Sequence, residues 1–253
     1  MTLDHTQTAI APPSCPECGG TGLVRTGPSS SKECGCQLAV RIGHAIRRAG
    51  FPPSLDGARL DSYEPNTPHN SRAKIAAVRY AHDFVPGQVH TGIMFTGPVG
   101  TGKTHLAIAI ARYLIEETGV EARFVELREL LDQLRASYDP ASNQTQAEIL
   151  KPIFGASLVV IDELGAAKPT DWTFETQELL IGWLYNHAIP VIVTTNLANL
   201  GPGATASATE NEYSRATRPE TLGDRIGARM FSRLQQMCVP IETSGADWRA
   251  KKR

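Results

Sequence analysis

The sequence predicts an α/β fold: a parallel sheet covered by helices on both faces, with a small cysteine-bearing module towards the N-terminus. Three observations predict it. From about residue 71, aliphatic strand-length runs alternate with helix-length runs, the pattern of parallel strands joined by crossover helices. Strand runs such as Leu158-Val159-Val160-Ile161 are apolar at every position, which suits a sheet buried from both sides. Four of the five cysteines crowd between Cys15 and Cys36, which points to a metal site more than to disulfides.

The elements follow in order. Residues 1–14 are polar and end in Pro-Pro-Ser, a composition that predicts disorder. Residues 15–36 hold the cysteines. Residues 37–50 predict an amphipathic helix carrying Arg41, Arg47 and Arg48, stopped by Gly50 and Pro52-Pro53. Residues 51–70, rich in Pro and Asn and including Tyr63, read as a linker. The expected organisation is therefore a module over 1–50, a linker over 51–70 and the main domain over 71–253. Within that domain, helices are expected over 72–84, 105–115, 128–136, 175–186 and 222–237. Strands are expected over 91–96, 122–127, 158–161 and 191–195. Residues 199–221, rich in Gly, Ala, Ser and Thr, read as a mobile loop. Residues 238–242 are expected as an edge strand, because Pro240 lacks the N–H a central strand needs.

Composition narrows the class. The hydrophobic fraction of 41% and charged fraction of 20% are those of a globular domain. A net charge of −1 favours no nucleic-acid contact beyond a local basic patch. No apolar run approaches the roughly 20 residues needed to span a bilayer. No basic segment followed by an apolar core opens the chain, so a cytoplasmic protein without membrane contact is expected.

The chemistry centres on Gly97-Pro98-Val99-Gly100-Thr101-Gly102-Lys103-Thr104, which fits G-x-x-x-x-G-K-[ST] without mismatch. Glycines let successive backbone N–H groups turn inward around a phosphate. Lys103 is expected on the β- and γ-phosphates and the Thr104 hydroxyl on Mg²⁺. The helix that follows, from His105, presents its N-terminus to the anion. ATP and Mg²⁺ are thus the expected ligands, held by residues 97–105 and Asp162.

Strand 158–161 ends in Asp162-Glu163. Asp162 is expected to hold Mg²⁺ through water, and Glu163 to polarise the water that attacks the γ-phosphate; two acids merely capping a strand are the alternative. Asn196, ending the next strand after Thr194-Thr195, can orient that water or serve as a turn residue. Arg225, Arg229 and Arg233 recur every four residues, so one helical face would carry all three. Such a face is either solvated or supplies charge to a phosphoryl transition state.

Cys15-Pro-Glu-Cys18 and Cys34-Gly-Cys36 form two close sulfur pairs around a Gly-rich loop. Four thiolates suit structural Zn²⁺; disulfides or free thiols are the alternative. A module this small lacks a sufficient core, so the metal would supply its folding energy. Cys238, in an apolar context, reads as a core residue.

Together these residues resemble the AAA+ ATPases, and more closely the DnaC-like helicase loaders and IstB-like transposition ATPases. The resemblance covers roughly residues 60–250. It rests on residues 97–107, on Leu-Val-Val-Ile-Asp-Glu-Leu-Gly (158–165), on Thr-Thr-Asn (194–196) and on Arg-Met-Phe-Ser-Arg-Leu (229–234). It implies that Asn196 is sensor 1. Arg229 becomes the arginine finger acting on ATP in the next subunit, and Arg249, in Asp247-Trp248-Arg249, becomes sensor 2. Loaders typically carry Tyr where Trp248 stands. Four residues follow Arg249, so no helical lid domain is expected. The resemblance further implies hydrolysis at subunit interfaces of a helical or ring-like oligomer and single-stranded DNA in its channel. Tyr138 and Phe174 fall in the segments that carry DNA-contacting aromatics, although a packed or surface ring fits each equally. The N-terminal module is expected to grip the replicative helicase, with direct DNA binding as the competing role.

The expected function is ATP-dependent loading of the replicative helicase onto single-stranded DNA. The alternatives are a transposition helper acting on duplex DNA with a transposase, or a small-molecule kinase. The Asp162-Glu163 pair weighs against a kinase, which transfers to a bound acceptor and needs no water-activating Glu. Asn196-Leu197-Ala198-Asn199 lacks the guanine reader of a GTPase.

Overall fold

Alternating aliphatic and polar residues fold the chain into two units, Met1–Ala49 and Gly50–Arg253. The computed structural model describes residues 15–204 and 219–252. Residues 1–14 and most of the loop expected over 199–221 lie outside the described residues.

In the first unit, β1 (Leu23–Arg25) and β2 (Ser31–Glu33) form an antiparallel hairpin with Val24 opposite Lys32. Neither three-residue strand was legible as a periodic run. Helix α1 (Gly35–Ala49) begins two residues earlier than expected, because Cys34 O accepts from the N–H groups of Gln37 and Leu38. Of its residues only Ala49 is buried. The buried centre is Cys18 and Cys34, with Val24, Cys15 and Cys36 packed around them.

The second unit is built on a five-stranded, all-parallel sheet. Its strands are β3 (Gly92–Thr96), β4 (Ala122–Glu126), β5 (Leu158–Asp162), β6 (Val191–Thr195) and β7 (Cys238–Glu242). The order is β4-β5-β6-β3-β7, with Ile93 beside Ile192 and Val159 beside Val191. Residues of β3, β5 and β6 are buried throughout. Pro240 sits on the edge strand β7, opposite Met94. The order reverses around β3, and such a switch point opens a crevice at the strands' C-terminal ends.

Helices cover both faces. Helix α3 (Lys103–Thr118) packs on the sheet and against α2 (Pro68–Asp83). On the opposite face one apolar cluster joins α4 (Leu127–Ala136), α5 (Gln146–Phe154), α6 (Asp171–Asn186), α7 (Leu222–Ile226) and α8 (Ala228–Met237) to β-strand residues such as Val125, Val159 and Val193.

Four expectations need correction. Residues 51–70 are no linker: Ala58, Leu60 and Tyr63 are buried, the Phe51 ring meets Phe124 edge-on, and the buried Arg112 reaches Asp56 at 3.0 Å. Proline and asparagine marked irregular backbone there, not loose chain. Helix α5 was missed, although its capping box of Thr145 and Glu148 is a readable start signal. Helices α2 and α6 start four residues earlier than expected, at the N-caps Thr67 and Thr170. Finally, residues 222–237 form two helices. Gly227 (φ 82°, ψ 159°) breaks them in a conformation open to glycine, so Arg225 does not share a face with Arg229 and Arg233.

Candidate functional site

The turn between β3 and α3 carries the Gly97–Thr104 motif. Gly102 caps α3 with φ 89°, and a side chain there would meet the Tyr63 ring at 2.5 Å. Tyr63 also donates its hydroxyl to Thr101 O at 3.0 Å. Its apolar ring and its hydroxyl therefore brace the loop from behind, a role the sequence did not reveal. His105 is held beside it, Nε2 lying 3.0 Å from Arg59 O and 3.2 Å from Ser62 Oγ.

Lys103 is only 6% exposed. Its ammonium donates to Gly97 O at 2.8 Å and Pro98 O at 2.6 Å, inside the loop itself. Burial pulls its pKa down to about 8, and Asp162 and Glu163 offset part of that fall.

Asp162 ends β5, buried. Its Oδ1 accepts from Thr104 Oγ1 at 2.8 Å and Thr194 Oγ1 at 2.6 Å. Burial raises its pKa, against the pull of those two hydroxyls. Thr194 also accepts the Glu163 N–H at 3.0 Å. Glu163 has φ 55°, a left-handed conformation that costs a non-glycine residue about 1 kcal/mol or more. The Thr194 bond and Leu164 N–H to Thr194 O at 2.9 Å hold it there. Thr194, quoted only as part of a signature, is thus the hub that ties β5 to β6.

A cavity of about 850 Å³ opens over this arrangement. Residues 99–105, Glu163, Thr194, Asn196 and Arg249 all line it, as do Tyr63 and Trp248. The switch point therefore gathers most of the expected residues in one place. Arg249 arrives on the short helical turn Trp248–Lys252, anchored by Trp248 N–H to Gly100 O at 3.0 Å. The volume falls in the range of small-ligand pockets. With a buried lysine, a hydroxyl and a carboxylate side by side, it fits a nucleoside triphosphate, and Thr104 and Asp162 are the residues that would hold its Mg²⁺.

Arg229 lies elsewhere. Its side chain is 73% exposed on α8, Nη1 lying 2.8 Å from Glu178 Oε1, and it does not line the cavity. Arg233 is mostly buried, its guanidinium over the Tyr185 ring. Arg225 donates to Ala167 O at 3.1 Å and pairs with Glu220, which ties the loop after Glu163 to α7.

The two aromatics also separate. Tyr138 is 62% exposed, and its hydroxyl accepts from Trp172 Nε1 at 3.2 Å. The Arg135 guanidinium lies 4.7 Å from the Trp172 ring centre. Phe174 is half-buried against the main apolar cluster, where its ring serves packing.

In the first unit the four sulfurs lie within 4.8 Å of one another. Cys15 and Cys34 are 3.8 Å apart, Cys18 and Cys36 3.5 Å. Tetrahedral Zn²⁺ with Zn–S bonds of about 2.3 Å spaces its sulfurs about 3.8 Å apart, whereas a disulfide needs about 2.05 Å. The geometry fits the metal. Cys238 is buried in the sheet cluster. Among the described residues no helix is long and apolar enough to cross a membrane.

The family model described as IstB-like ATP binding protein matches residues 32–201. The replicative helicase loader DnaC of Buchnera aphidicola subsp. Acyrthosiphon pisum (strain APS) is 30% identical over 129 residues, 50% of this chain and 50% of that protein. Its counterpart from subsp. Baizongia pistaciae (strain Bp) is 28% identical over 127 residues, again half of each chain. The chain thus spans about half the length of the curated relatives it matches. A crystal structure of the DnaC helicase loader superposes with a TM-score of 0.60 at 26% identity, covering 76% of this chain and all of the other. With the family match over most of its length and the P-loop at the switch of a parallel sheet, the chain belongs to the IstB-like ATP binding protein family, a DnaC-like branch of the AAA+ ATPases.

Proposed function

We propose that the protein is an ATPase that loads a replicative DNA helicase onto single-stranded DNA. The observation that carries the hydrolytic half is the single cavity lined by Lys103, Thr104, Glu163, Asn196 and Arg249. Lys103 leaves its loop carbonyls to meet the β- and γ-phosphates. Thr104 and Asp162 would hold Mg²⁺, which would supply positive charge to offset that of the phosphates. Glu163 takes the proton of the attacking water, whose oxygen bonds to the γ-phosphorus as the bridging Pγ–O bond breaks and ADP leaves. Asn196 orients that water. Arg249 stabilises the transferring phosphoryl group within the chain. Arg229, exposed and outside its own cavity, acts on the nucleotide of the next subunit in a helical or ring-like oligomer.

The DnaC likeness supports the loading half. The cysteine unit, folded around Zn²⁺, grips the helicase, and Tyr138, beside Trp172 and Arg135, offers single-stranded DNA a stacking surface. The work is cytoplasmic. The family match favours a second reading, a transposition helper acting on duplex DNA with a transposase.

ATP hydrolysis measured without DNA, with single-stranded DNA and with duplex DNA separates these readings. Stimulation by single strands is expected. Stimulation by duplex alone moves the assignment to the transposition helper, and indifference to both refutes a DNA-directed ATPase.

A further inference from the structure

Arg249 reaches the nucleotide cavity on a segment that leaves the sheet after β7, so something must hold that segment in place. Residues 243–249 have no strand partner of their own. They are fastened at three points. Thr243, fully buried, donates its N–H to Thr96 O at 2.7 Å, and its Oγ1 lies 2.7 Å from Thr101 Oγ1 in the P-loop. Trp248 N–H donates to Gly100 O at 3.0 Å. Between these, Ser244 docks on the first turn of α2. Its N–H donates to Asn70 Oδ1 at 3.0 Å and its hydroxyl to Thr67 Oγ1 at 3.2 Å.

Asn70 is the unusual member. It sits at the third position of α2, where a capping-box side chain would fold back on the N-cap. Here Thr67 caps the Asn70 N–H at 3.1 Å without help from that side chain. The Asn70 amide is instead turned inward, 3% exposed. The Ser244 N–H can only donate, which sets Oδ1 as its partner and leaves Nδ2 to donate to Asn66 Oδ1 at 2.6 Å. Both asparagines line the nucleotide cavity. A buried amide with donor and acceptor both used holds one geometry, because either bond lost leaves a polar group unpaired.

We propose that Asn70 is a positioning residue for catalysis: by latching Ser244 to α2 it holds the Trp248-Arg249 turn over the nucleotide. It touches no reacting atom and acts through Arg249. The inference rests on the reading of Arg249 as a catalytic arginine, so its test separates the two.

The experiment compares Asn70→Ala, Arg249→Ala and the double variant, each checked for native thermal unfolding. Turnover and KM for ATP are measured, together with amide hydrogen exchange at Ser244 and Trp248. Asn70→Ala is expected to speed exchange at those two amides while the β3 and β6 amides keep theirs. Turnover should fall about tenfold or more, since a small misplacement of a catalytic group costs up to about 10²-fold. KM should move less than about threefold, and the variant should add nothing in the Arg249→Ala background. Unchanged exchange at Ser244 and Trp248 overturns the latch, as does an equal fall in turnover with and without Arg249. Normal turnover in Arg249→Ala overturns the catalytic reading of Arg249 instead, while the exchange result still decides whether the latch exists.

Discussion

Lys103 lets the nucleotide site be tested through protons. In the folded protein its ammonium is buried among the carbonyls of its own loop, and burial pulls its pKa down to about 8. An ordinary lysine titrates near 10.4. Burial thus disfavours the charged form in the folded chain. A triphosphate placed against it reverses the balance and restores a high pKa. Binding must then take up a proton at any pH between these values. With a shift from about 8 to about 10.4, uptake is about 0.1 proton at pH 7 and about 0.9 at pH 9. Affinity should correspondingly be about tenfold weaker at pH 9 than at pH 7, or about 1.4 kcal/mol. The sign for folding is opposite: the unfolded chain holds the extra proton over this window, so Lys103 adds stability as pH rises from about 8 to about 10.4. The assay is calorimetry of a non-hydrolysable ATP analogue with Mg²⁺ binding to the unaltered protein, in two buffers of different ionisation enthalpy. Heats that differ between buffers at pH 9 and nearly coincide at pH 7 are expected. Equal heats at pH 9, with equal affinity at both pH values, would refute the argument from burial.

Three further outcomes are expected. Glu163→Gln should bind ATP normally and lose about 10²–10⁴ in turnover, the usual share of a general base; normal turnover would remove Glu163 from the mechanism. Arg229→Ala and Lys103→Ala should each be inactive alone but regain part of the activity when mixed, since one supplies a sound nucleotide site and the other a sound finger. Mixing without rescue would end the claim that Arg229 acts between subunits. Protein purified without chelators should contain one zinc per chain, and Cys34→Ser should leave residues 15–49 open to proteolysis while ATP binding to the second unit persists; absence of zinc by elemental analysis would refute the metal site.

Some of this was legible because local chemistry demands it. A P-loop needs glycine at fixed spacing, so residues 97–104 announce themselves wherever they fall in a chain. Strands buried on both faces must be apolar throughout, so β3, β5 and β6 read directly as runs, and Asp162-Glu163 stands out as the place where such a run turns acidic. Pro240 declared β7 an edge through its missing donor. The two cysteine pairs pointed to a thiolate cluster, and the four sulfurs do gather within 4.8 Å of one another.

Other features carry no local mark. Gly227 splits one expected helix into two, since a single glycine costs an isolated helix only about 1 kcal/mol and its φ is set by the fold. Residues 51–70 looked like a linker, yet Tyr63 braces the P-loop, a contact visible only once α2 and α3 are packed. Thr194 gave no sign that it joins Asp162 and Glu163, because those partners arrive from the end of the neighbouring strand β5. The sequence by itself determined the class of fold, the phosphate loop, the two acids and the sulfur cluster, each dictated by neighbours in the chain. Only the tertiary structure decided that Arg249 reaches the cavity of its own chain while Arg229 faces away, and that Asn70 meets Ser244. Those contacts join residues far apart in sequence, and their geometry is set by how the helices pack on the sheet.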